Sequence, residues 1–139
     1  MTTTRSLTGA GILADGPRLL KAALRLDSAA SGVNGLAYLA LAGPLEDLLG
    51  LHPGPARAIG GFLVAYALAM WAVSMPARVR RGAATAVIET NVLWAVLSVL
   101  AVITGWLDLN AAGAVWAVLQ AAVVAGFAAL QYTGLRRSR

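Results

Sequence analysis

Two carboxyl groups sit where a proton could be moved away from bulk water. Glu89 lies eight residues past Arg81, the nearest arginine, and opens the run VIETNVLWAVLSVLAVITGWL, which holds no basic residue. A carboxyl without a fixed cation in an apolar setting can act as a general acid or base. Asp27 lies two residues after Arg25, at the start of the apolar run SAASGVNGLAYLALAG. Around these two acids stand groups able to hold a ligand. Ser31, Asn34, Tyr38 and Asn91 offer hydrogen bonds, and Trp71, Trp94 and Phe127 offer ring faces to a cation. This set, with Glu89 and Asp27 as catalytic groups and the other seven as substrate-binding groups, is the candidate site.

Each residue also has a purely structural reading. Glu89 can bond a neighbouring helix through Thr85, Ser74 or Gln131, or reach an arginine by snorkelling. Asp27 can pair with Arg25 at the interface or cap its helix. Asn34, Asn91, Gln120 and Gln131 are amides of the kind that commonly join helices in membranes. Tryptophans more often pack or anchor than bind; Trp106 and Trp116 fit an outer aromatic belt.

Other chemistries are excluded or weakened. The chain has no cysteine and one histidine, His52, in a Pro/Gly-rich loop. Thiolate chemistry is absent, and a metal site would need carboxylates alone; neither metal nor cofactor is expected. Nucleic acid is not an expected partner: the net charge is +5, but the basic residues mark the ends of apolar runs and no stacking-aromatic pattern accompanies them.

The elements that must position these residues are apolar helices. Hydrophobic residues make up 59% of 139 residues and charged residues 12%, about half the charge of a typical soluble domain. So short a chain cannot hide that excess from water. Four runs, about 28–45, 58–75, 83–107 and 111–132, approach the ~20 residues that cross a bilayer, and none alternates as a barrel strand does. The sequence therefore predicts an all-α four-helix transmembrane bundle over residues 17–139, behind a disordered segment over 1–16. Arg18, Lys21 and Arg25 share one face of a short amphipathic stretch. It either lies on the membrane surface or forms the first turns of helix one. Residues 48–57 read as a loop.

Ten of the eleven basic residues fall on the side shared by the two chain ends and the 76–82 loop; only Arg57 falls on the other. The bias predicts cytoplasmic ends in a multi-pass protein of the cell membrane. Asp27, Ser31, Asn34 and Tyr38 form one helical stripe, and Asn91, Trp94 and Ser98 a second. Trp116, Gln120, Val123, Phe127 and Gln131 form a third, and Phe62, Tyr66 and Met70 a fourth. A shared interior is the simplest account. Counted from the arginines at ~1.5 Å per residue, most of its polar members fall in the cytoplasmic half. The predicted pocket lies there, with Glu89 or Asp27 at its edge. Because Glu89 and Asn91 point in nearly opposite directions, only one of them can aim at the bundle centre.

The segments LRLDSAASGVNGLAYLALAGPLEDLLGL, ETNVLWAVLSVL and VWAVLQAAVVAGFAALQYTGLRR resemble those of small bacterial four-span integral membrane proteins. The chain is also similar in size and pattern to small membrane-bound terpene cyclases. That resemblance implies acid-initiated cyclisation of a prenyl chain or its epoxide, and no residue role is taken from it. It departs from small multidrug exporters, which carry a glutamate within helix one, and it lacks aspartate-rich magnesium motifs. The leading expectation is thus an enzyme acting on a lipophilic, isoprenoid-type substrate. The alternatives are a non-catalytic membrane scaffold or a small transporter, which would have to form a homo-oligomer. Membrane lipid is the expected surrounding partner.

Overall fold

The structure, a computed structural model, describes residues 15–138. Residues 1–14, most of the segment read as disordered, lie outside them; Gly16 already begins a helix. The described chain is all-α, with five helices: α1 (Gly16–Ala40), α2 (Ala42–Leu49), α3 (Pro53–Ser74), α4 (Arg81–Thr104) and α5 (Ala111–Arg136).

Local chemistry sets the boundaries. Asp15 caps α1 by accepting from the Arg18 N–H at 3.3 Å, and Pro17 fills the first turn. The basic stretch at 18–25 is therefore the start of α1 rather than a separate surface helix. α2 ends on Gly50, whose φ of 74° suits glycine. α3 opens on Pro53 and stops two residues before Pro76, where the missing N–H would break it. α4 ends on Gly105 at φ 69°, and Asn110 caps α5 by accepting from the Gly113 N–H at 2.8 Å.

Three helices, α3, α4 and α5, are long and apolar enough to cross a membrane. This corrects the count of four read from the sequence. α1 has the length, but Arg25, Asp27, Ser28, Ser31 and Asn34 lower its hydropathy. The expected first span also overran: the helix stops at Ala40 and the stretch with Gly43-Pro44 restarts as α2, while the segment 48–57 read as a loop holds the end of α2 and the start of α3. Pro44 is tolerated because it falls in the first turn of α2.

Polar side chains are buried in the bundle, while many large apolar ones lie on its outside. Asp27, Ser28, Ser74, Asn91 and Gln131 are buried, while Leu68, Ile103 and Trp106 are about 70–80% exposed. Such a surface fits lipid better than water. α1 packs between α3 and α5, and α5 packs on α4. Gly35 and Gly60 let α1 and α3 meet at backbone distance: a Cβ on Gly35 would stand 2.8 Å from the Gly60 carbonyl oxygen. α3 and α4 meet through a few contacts: Phe62 stacks on Trp94 at 5.3 Å, and Tyr66 OH hydrogen-bonds to Asn91 at 2.9 Å. One apolar cluster, around Leu20, Leu24, Met70 and Leu135, fills the basic end. Another, around Ala42, Leu49, Leu51 and Ala56, fills the end covered by α2.

Candidate functional site

Between the two clusters lies a partly open cavity of about 100 Å³. Its floor is built on Asp27. Oδ2 of that carboxyl accepts from Asn91 Nδ2 at 2.7 Å and from Gln131 Nε2 at 2.8 Å. Its Oδ1 accepts from Ser31 Oγ at 3.2 Å. Asn91 Nδ2 also donates to Gln131 Oε1 at 2.9 Å, and Tyr66 OH donates to Asn91 Oδ1 at 2.9 Å. One buried cluster thus joins α1, α3, α4 and α5. No buried side-chain nitrogen or oxygen among the described residues lacks a partner, and no arginine or lysine pairs with Asp27 among them.

The walls rise from this floor along α1. Ser31, Asn34 and Tyr38 line them, so the cavity extends ~16 Å from Asp27 at 1.5 Å per residue. Trp94, Phe127, Gln120 and Trp116 face them from α4 and α5. Asn34 turns its amide to the Ala30 carbonyl of its own helix at 3.0 Å. At the far end Trp116 Nε1 donates to Tyr38 OH at 2.9 Å, and Leu49, Leu51, Leu107 and Leu109 close the top. The cavity therefore runs beyond the half of the bundle where the pocket was expected. Trp116, read as part of an aromatic belt, makes its polar bond to a cavity-lining side chain.

Two residues of the candidate set stand elsewhere. Glu89 is exposed and does not line the cavity. Among the described residues it has no hydrogen-bond or ion-pair partner. It lies two positions, about 200° of helix rotation, from the inward Asn91. Trp71 is 45% exposed and lies under the Arg25 guanidinium, 5.2 Å from its ring centroid. It follows Met70, the buried end of the α3 stripe, by one position and so turns about 100° away. Asn91 does not line the cavity either, but it binds Asp27 directly. Gln131 and Tyr66 belong to the cluster although the candidate set omitted both. The stripes contained each of them, but nothing in the sequence says that two amides and an acid on different helices reach one point.

This arrangement can present a carboxyl to a molecule in the cavity while two amides and a hydroxyl hold it in place. Among the described residues no group of three or more His, Asp or Glu is placed to hold a metal ion. No protein-family model matches the chain, and no curated protein or solved structure matches it.

Proposed function

We propose that this is a multi-pass protein of the cell membrane, crossed by α3, α4 and α5. We further propose that it acts on a lipophilic molecule held in the bundle, with Asp27 as the proton-exchanging group. The observation that carries the reading is the buried Asp27 carboxyl, without a cation, at the foot of a cavity walled by Tyr38, Trp94, Trp116 and Phe127. Such a group is costly in a dry interior and is commonly functional there. Acid catalysis needs a positioned carboxyl, excluded water and aromatic surfaces for developing charge.

Size restricts the substrate. Sites for drug-sized ligands run to ~300–1,000 Å³, and this cavity has about 100 Å³. A slender chain fits better than a folded polyprene, so isoprenoid cyclisation would require the seam between α3 and α4 to open.

A second reading is favoured by one observation: the cluster is fully hydrogen-bonded, as a structural clamp would be. Asp27→Asn separates the two. Its oxygen can still accept from Asn91 and Gln131 and its amide can donate to Ser31, so the clamp survives and the acid is lost. Lipid extracts from cells lacking the protein, complemented with wild type or with Asp27→Asn, are compared by mass spectrometry. The enzyme reading expects a species restored by wild type alone. Identical extracts with a normally folded variant would leave the clamp.

A further inference from the structure

A second recess opens at the basic end of the bundle, separate from the Asp27 cavity. It is a cleft of about 970 Å³ between the start of α1, the α3–α4 connection and the end of α5. Arg78, Arg80 and Arg81 line it, over apolar surface from Leu20, Val79 and Leu135. We propose that this cleft is a binding site for a phosphate group, carried either by an anionic lipid headgroup or by a soluble phosphate compound.

Four observations carry the assignment. Orientation in a membrane requires positive charge on one side but no concavity, and here three arginines line one recess of ligand size. No carboxylate lines the cleft among the described residues; the adjacent Asp15 is already held by Arg18, at 3.7 Å. Residues 1–14 contain no Asp or Glu that could serve as an internal anion. Arg81 is ordered in advance, because its Nη1 donates to the Leu135 carbonyl at 3.1 Å and leaves its other N–H groups for a ligand. By contrast, Arg78 and Arg80 have no hydrogen-bond or ion-pair partner among the described residues. The first turn of α4 adds to them, since Arg80 occupies its cap position without a side-chain cap and the leading N–H groups favour an anion. Guanidinium forks match phosphate oxygens, and the Leu20–Leu135 floor suits the glycerol and upper acyl region of a lipid.

The test uses the full chain in nanodiscs of phosphatidylcholine doped with phosphatidylglycerol or cardiolipin, read by native mass spectrometry. Titration of the detergent-solubilised protein with inorganic pyrophosphate forms a second arm. Wild type should retain the anionic lipid over phosphatidylcholine, and Arg78→Gln/Arg80→Gln should lose about thirtyfold of that preference. The charge-matched control Lys21→Gln/Arg136→Gln removes two cations that do not line the cleft, and should change it less than about threefold. Pyrophosphate binding that disappears in Arg78→Gln/Arg80→Gln, without lipid retention, supports the same site with a soluble ligand. Equal losses in both double variants would mean diffuse charge and overturn the proposal, as would the absence of any preference in both arms.

Discussion

The two ends of the Asp27 cavity are held together in different ways. At its floor the bonds run between buried side chains of residues far apart in the chain: Asp27, Asn91 and Gln131. At its top the end of α2 is held by main-chain and exposed contacts. The Asn110 N–H donates to the Leu49 carbonyl at 3.1 Å, and Asn110 Nδ2 donates to the Leu48 carbonyl at 3.1 Å. His52 reaches Glu46 at 3.3 Å and Asp108 at 3.8 Å, all three with side chains 44–87% exposed. A broken bond at the floor leaves a buried donor without a partner, whereas water can replace one at the top. The floor should therefore be rigid and the top the part that opens.

The largest effect tests the floor. Asp27→Leu strands amide donors of Asn91 and Gln131 and should cost about 2–4 kcal/mol in stability, whereas Asp27→Asn should cost about 1 kcal/mol or less. Reversible unfolding in mixed micelles measures both, and equal losses would mean that the hydrogen-bond network is not what holds the helices. At the top, Asn110→Ala removes the α5 cap together with the bond to Leu48. A loss of about 1 kcal/mol is expected, with faster amide exchange confined to residues 45–52. Exchange that quickens equally around Asp27 would erase the contrast between the two ends. His52→Gln should change stability by less than about 0.5 kcal/mol, because its ion pairs are exposed. The smallest effect is expected of Glu89→Gln, within about 0.5 kcal/mol of wild type. Loss of a lipid product at unchanged stability would return the proposed chemistry to Glu89 and away from the floor.

Asp27 and Glu89 also show where sequence reasoning stopped. Glu89 attracts attention because its surroundings in the chain are apolar and it has no nearby arginine. Asp27 looks interfacial because Arg25 is two residues away. In the fold the relation is reversed: Asp27 is 2% exposed and Glu89 is on the outside. Arg25 points away from Asp27, towards Ser74 and Trp71.

The sequence by itself determined that the chain is helical, where α3 ends and α5 begins, and which residues share a face. These are local properties, set by caps, prolines, glycines and the 3.6-residue repeat. The stripe Asp27, Ser31, Asn34 and Tyr38 could be read that way, and all four line the cavity. Only the tertiary structure decided how each stripe is turned relative to the other helices, because periodicity gives angles within one helix and not between two. That rotation put Asn91 inside and Glu89 outside. It turned one face of α1 in between α3 and α5, where a helix too polar to stand out by hydropathy finds its partners. It also brought Gln131 to Asp27 across 104 residues of chain, a meeting that depends on packing and that no local pattern records.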